Sequence, residues 1–192
     1  TASPNTITPP EWSTVTWSSL PAACAKPQSC WIGVYHTADD PTKTLPMKYT
    51  FTDAASPGSN ALRFRMLNTR DGYVFKLFQG GVAHPTLLAT SNAVAIAEDA
   101  EYAPHAGRLA LTDKADEMVI SFTSKTGDDS RGHQTATVQW GTKPGAYTHK
   151  AMEAAPSYGD AYVREAMCGA PASAGGFRSP GSFRHVTLTN LT

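Results

Sequence analysis

The chain has 192 residues, 41% hydrophobic and 17% charged, with 16 acidic and 16 basic side chains that cancel to a formal net charge of zero. Without a basic run it lacks the electrostatic footprint that nucleic acid or an anionic membrane selects. No apolar stretch nears the roughly 18 residues of a membrane-spanning helix, and residues 87–96 are interrupted by Thr90, Ser91 and Asn92.

Short alternating segments separated by Gly, Pro, Asn and Asp dominate, and no apolar period of 3.6 is sustained, so the chain reads as all-β. In the first half, residues 13–17, 30–35, 47–51, 61–67, 73–78 and 93–97 are expected strands. Asp71-Gly72 and Gly80-Gly81 supply turns that tolerate positive φ. Near residues 102–106, Pro104 and Gly107 break the pattern and divide the chain into two expected domains, 1–104 and 105–192. In the second half, residues 108–112, 117–124, 135–141, 146–152 and 183–190 read as strands. Met118, Ile120 and Phe122, and again Val138 and Trp140, alternate so that apolar side chains share one face. Between residues 151 and 182, Ala, Pro, Gly and Ser predict a long irregular crossing.

The run Ala166-Met167-Cys168-Gly169-Ala170-Pro171-Ala172 is followed by Gly175-Gly176-Phe177-Arg178-Ser179-Pro180-Gly181-Ser182-Phe183-Arg184-His185 and closed by Leu188 and Leu191. This order resembles the non-catalytic N-terminal part of the larger plant and algal purple acid phosphatases, whose pattern is close to MCGAPA…GWRDPGxxHxxxL. Upstream, Trp31-Ile32-Gly33-Val34-Tyr35, Pro46-Met47-Lys48-Tyr49, residues 62–70, residues 75–81, Gly107-Arg108-Leu109-Ala110-Leu111-Thr112 and residues 116–124 resemble further blocks of that family in the same order. The resemblance spans roughly residues 12–191, which makes it far more specific than one short motif. It makes Met167, Cys168, Gly169, Arg178, Pro180, Gly181 and His185 a structural family motif, with Phe177 and Ser179 departing from the family's Trp and Asp.

What the resemblance implies is two consecutive fibronectin type III-like (Fn3-like) β-sandwiches on a secreted protein. The second is expected to be incomplete, because the family's next strands do not follow before Thr192. Expected partners are therefore the catalytic metallophosphoesterase domain, or another chain completing the second sandwich, with a homo-oligomer also open. The start at Thr1, without an initiator Met or a leader, fits a removed signal peptide or an artificial boundary. The family hydrolyses phosphate monoesters with iron plus a second divalent metal (Zn, Mn or Fe), two cations that bind phosphate and generate hydroxide. None of its metal-ligand motifs is complete here, so this segment is expected to hold no cofactor and to carry no catalytic or metal-ligating residue. Gly159-Asp160-Ala161-Tyr162 places its tyrosine one position early, and Gly132-His133-Gln134-Thr135 has Thr where a second His is needed. A single missing donor removes the site geometry. The competing reading is an extracellular structural or adhesive module without phosphatase activity, and a third is an inactive phosphatase relative.

The remaining candidates are local. Cys24 and Cys30 are expected to close a small loop around Pro27, worth roughly 2 kcal/mol by chain entropy, with Cys168 free or paired to a segment absent here. His36, His84, His105, His133 and His149 read as surface or turn histidines, and His185 as a hydrogen-bonding partner of the 178–181 loop. Arg178 is expected to pin that loop through a local carboxylate or carbonyls rather than to bind phosphate. Trp12, Trp17, Trp31 and Trp140 read as core rather than as a sugar-stacking surface. Asn190-Leu191-Thr192 is an N-glycosylation sequon.

Overall fold

The computed structural model describes residues 1–125, 135–154, 163–175 and 177–191. The architecture is all-β, and the described residues include one five-residue α-helix, α1 (Glu98–Tyr102), and three short 3-10 turns. Two compact units are present: Thr1–Glu101 with Gly169–Gly176, and Tyr102–Cys168 with Phe177–Thr192.

The first unit contains β1 (Ala2–Ser3), β2 (Thr6–Ile7), β3 (Trp12–Thr16), β4 (Cys30–His36), β5 (Lys48–Phe51), β6 (Ala61–Arg65), β7 (Tyr73–Gln79), β8 (Thr86–Thr90) and β9 (Ala95–Ile96). They form a three-stranded sheet, β1-β3-β6, a four-stranded sheet, β5-β4-β7-β8, and a parallel pair, β2-β9. Period-two alternation sends Val15 of β3, Leu62 and Phe64 of β6, Ile32 and Val34 of β4, and Tyr73 and Phe75 of β7 into one shared core. This is a β-sandwich whose two inner faces supply a common hydrophobic layer.

A second apolar layer lies on the other side of the four-stranded sheet. Trp31, Tyr35, Val74 and Phe78 are buried there, with Phe51 packed against them. Trp31 stacks on Phe78 with ring centres 4.3 Å apart, and its indole N–H donates to the Gly81 carbonyl at 2.8 Å. Both faces of β4 are thus covered, which is why Trp31-Ile32-Gly33-Val34-Tyr35 is nearly continuous in apolar character. Gly33 is required by close approach: a Cβ there would lie 2.8 Å from both Trp31 Cζ3 and Tyr35 Cε2. Burial pushes the Tyr35 hydroxyl up to about 12, aided by the negative charge of Asp39.

The start of β7 is tied back to the chain before it. The Tyr73 hydroxyl donates to the Leu67 carbonyl and accepts from the Thr69 hydroxyl at 2.8 Å, the arrangement of a tyrosine corner in sandwich domains. His36 joins this cluster through Thr69 Oγ1, 2.8 Å from its Nε2, and Asp71 Oδ2, 3.5 Å from its Nδ1. At 6% exposure His36 is a buried histidine rather than a surface one, because those partners satisfy both ring nitrogens.

The second unit contains β10 (His105–Leu111), β11 (Met118–Ser124), β12 (Thr137–Trp140), β13 (His149–Met152) and β14 (Ser182–Leu188). Its described strands form a three-stranded sheet, β10-β11-β14, and a hairpin, β12-β13. The strands that periodicity did not announce are β1, β2 and β8. The first two have two residues each, too short for a period. β8 lies at a sheet edge, with only its central residue half-buried, so it shows no alternation.

Candidate interaction surface

The sheet β10-β11-β14 has one apolar face. Its antiparallel register aligns Leu111 with Met118 and Met118 with Leu188, and likewise Leu109 with Ile120 and Ile120 with Val186. Directly opposed residues point to the same side, so each row runs across three strands. Burial falls along each row: Leu188 is 6% exposed and Leu111 83%, while Val186 is 0% exposed and Leu109 61%. The strand between them is half-buried throughout.

β14 owes its burial to the hairpin, since β13 packs against it. Its inward residues are Ser182, Arg184, Val186 and Leu188. Arg184 is held there by Glu153, just beyond β13, whose carboxylate accepts from Nη1 at 3.0 Å, while Nε donates to Ser124 Oγ at 3.1 Å. β10, at the other edge, has every residue exposed and, among the described residues, no strand on its outer side. Leaving a large apolar side chain in water instead of burying it costs about 1.5–3 kcal/mol, so Leu109 and Leu111 mark a face shaped for cover. An open edge strand with such residues is also a template for another strand.

Of the motif residues, His185 lies in this sheet and Gly181 immediately precedes β14. Met167 is half-buried and closes a 3-10 turn through its N–H to the Arg164 carbonyl at 3.2 Å. Cys168 is exposed and not in a disulfide. The Gly169 carbonyl accepts the Ser173 N–H at 3.0 Å in the segment that belongs to the first unit. Arg178 and Pro180 are half-buried. Gly181, buried with φ 77°, admits the chain into β14 through a left-handed conformation that favours glycine, and its N–H donates to Ser179 Oγ at 3.1 Å. Phe177 lies under the Arg164 guanidinium, 6.0 Å away. His185 departs from expectation: on the exposed face of β14, its Nδ1 pairs with Ser121 Oγ at 2.9 Å across the sheet, because its outward register aims it at β11.

Cys24 and Cys30 are bridged across 5.1 Å between Cα atoms. Asn190 is exposed, at φ 57°. Trp31 is core, whereas Trp12 is 48% exposed and departs from the core reading because its strand position faces outward. The segments 132–134 and 159–162, which hold the incomplete metal motifs, lie outside the described residues. Among the described residues, no group of three or more His, Cys, Asp or Glu could hold a metal ion.

A profile described as the Fn3-like domain from purple acid phosphatase matches residues 36–98. Full-length relatives extend the match. "Probable inactive purple acid phosphatase 1" of Arabidopsis thaliana is 32% identical over 181 residues, covering 84% of this chain and 28% of its own length. "Probable inactive purple acid phosphatase 27" of the same plant is 34% identical, covering 77% and 23%. The solved structure of purple acid phosphatase PPD1 from yellow lupin (Lupinus luteus) seeds superposes over 100% of this chain and 35% of its own, with a TM-score of 0.71 and 28% identity. The chain belongs to the Fn3-like N-terminal region of purple acid phosphatases.

The chain therefore spans less than a third of the length of the curated relatives it matches. In this purple acid phosphatase region the described residues do not fit a dinuclear metal centre, since no donor cluster assembles. An incomplete second sandwich implies uncovered core and an unpaired edge; which edge would be open was not legible in the sequence, because Leu109 and Val186 have the same apolar character and only their neighbours differ. The buried ion pair left a trace: Arg184 falls in the inward register of β14, with Val186 and Leu188.

Proposed function

We propose that this chain is the non-catalytic, interaction-bearing N-terminal region of a secreted purple acid phosphatase. Its two Fn3-like domains, residues 1–104 and 105–192, serve to pack against the catalytic metallophosphoesterase domain and shape its approach. In this reading the parent hydrolyses phosphate monoesters with iron and a second divalent metal, all held outside this stretch. The carrying observation is the exposure gradient from Leu188 and Val186 to Leu111 and Leu109. That gradient describes a sheet face finished on one side and awaiting cover on the other, by further strands of the same polypeptide or by another chain.

The test uses the 192-residue chain with its longer parent. Leu109→Glu with Leu111→Glu should reduce binding of an apolar dye to the short chain. In the parent, the same pair should lower the melting temperature and weaken attachment of this region. If the parent tolerates both charges without loss of stability, the face is not a packing surface. The short chain, supplied with iron and zinc, should show no hydrolysis of a phosphate monoester, and turnover there would overturn the non-catalytic reading.

A second reading has its own support. The Arabidopsis relatives carry the name "probable inactive", which favours a parent that keeps the fold without the chemistry. Assaying the metal content and hydrolysis of the parent separates the two. On a secreted protein, exposed Asn190 would carry a glycan, so glycosidase treatment should lower the mass of native material, and an unchanged mass refutes that use of the sequon.

A further inference from the structure

The outward face of the β1-β3-β6 sheet has a composition unlike the rest of this charge-balanced chain. Register places Trp12 opposite Arg65, and Thr14 between Ser3 and Arg63. These residues alternate with Ser13, Val15, Leu62 and Phe64, which are buried in the sandwich. The face therefore offers an indole, two guanidinium groups and hydroxyls, and no carboxylate stands among these paired positions. Glu11, next in sequence to Trp12, has its carboxylate engaged by the Thr8 N–H at 2.6 Å.

Two details make the patch more than scattered polarity. Trp12 is 48% exposed, and the Arg63 guanidinium carbon sits 4.9 Å from its ring centre. That cation–π contact orders the arginine against one side of the indole and leaves a platform in water. At the sheet edge, Lys48 Nζ donates to the Arg65 carbonyl at 2.6 Å and adds a third positive charge. Among the described residues neither Arg63 nor Arg65 has a carboxylate partner. With 16 acidic side chains for 16 basic ones, three clustered cations beside the single carboxylate of Glu11 leave a net positive field that attracts an anion.

We propose that this face binds an acidic polysaccharide, specifically a chain of uronate sugars. Guanidinium forks match planar carboxylates in two-point fashion. Arg63 and Arg65, two residues apart on one strand, stand roughly 7 Å from each other, a spacing suited to successive acidic groups on an extended chain. The indole provides an apolar platform for the C–H face of a sugar ring, and Ser3 and Thr14 can hydrogen-bond its hydroxyls. A row of exposed side chains along paired strands fits an extended polymer better than a globular ligand. Nucleic acid is disfavoured, because affinity for it at physiological salt rests on many phosphate contacts and this face has three cations.

Binding of oligogalacturonate to the 192-residue chain, followed by calorimetry at low ionic strength, tests the assignment. A neutral β-glucan oligomer, a sulfated glycan and single-stranded oligothymidylate serve as comparison ligands. Oligogalacturonate should bind and weaken as salt rises, and the neutral glucan should not. Arg65→Gln and Trp12→Ala should each weaken it about tenfold, the effect of losing one charge-assisted contact or one stacking platform. Both positions face solvent, and unchanged melting of Arg65→Gln keeps the test readable if Trp12→Ala loosens the sheet. Equal affinity in Arg65→Gln, no binding of oligogalacturonate, or tighter binding of the sulfated glycan or oligothymidylate would each overturn the proposal.

Discussion

Glu153 Oε2 lies 3.0 Å from Arg184 Nη1, with the two side chains 4% and 7% exposed. This ion pair joins the end of β13 to the inward face of β14 at the finished side of the second unit's sheet. Breaking it leaves a buried charge without its partner, at a cost of about 3–5 kcal/mol. Arg184→Met and Glu153→Leu should each destabilise the second unit by that order, read by hydrogen exchange of β14 amides. The double variant Glu153→Leu with Arg184→Met should recover much of the loss. A double variant as unstable as the sum of the singles would mean that the two charges are not coupled.

Tyr73 should be replaceable by Phe only at a cost. The change leaves the Leu67 carbonyl without its hydroxyl donor and the Thr69 hydroxyl without its acceptor. A lost hydrogen bond with a stranded buried group costs about 1–3 kcal/mol. The urea midpoint of the first unit should fall with no change in slope, and an unchanged midpoint would show that this corner contributes nothing.

Gly33→Ala should disturb the aromatic layer more than its size suggests. The added methyl would sit 2.8 Å from Trp31 Cζ3, 2.8 Å from Tyr35 Cε2 and 3.1 Å from Pro46 Cβ. Overpacking of this kind costs about 1–3 kcal/mol. Near-ultraviolet circular dichroism should lose intensity as Trp31 is displaced from Phe78, and a wild-type spectrum and stability would show that the layer has slack.

Alkaline pH should loosen the same layer. The Tyr35 hydroxyl is raised to about 12, from an ordinary value of 10.0, by burial and then by Asp39. The folded state holds this proton more tightly than the unfolded one. Its stabilising contribution is therefore complete below about pH 10 and lost as pH climbs through about 12. Absorbance at the phenolate band should show Tyr35 titrating late in the folded protein, alongside Tyr73, which burial also raises, and Tyr35→Phe should remove one late step and leave the other. If all tyrosines titrate together near their ordinary value while the fold persists, Tyr35 is not shielded.

Much of the architecture was legible in residue order because a strand writes its faces into every second position. Met118, Ile120 and Phe122 announced β11, and the blocks shared with purple acid phosphatases placed the chain in that family. The nearly unbroken apolar run of Trp31–Tyr35 already carried the sign of a strand covered on both faces. Burial itself was less legible. Trp12 and Trp31 both occupy strands, yet one stands in solvent and the other in a stacked layer, because a residue's face is set by register while its cover is set by whatever packs beyond the sheet. Leu109 and Val186 make the same point at the two edges of the β10-β11-β14 sheet. His36 is the polar counterpart: a lone histidine in sequence became a buried one when folding brought Thr69 and Asp71 to its two nitrogens. Local alternation depends on neighbours along the chain and survives in the sequence; solvent exclusion and ion pairing depend on groups distant in sequence, and exist only once the sheets have met.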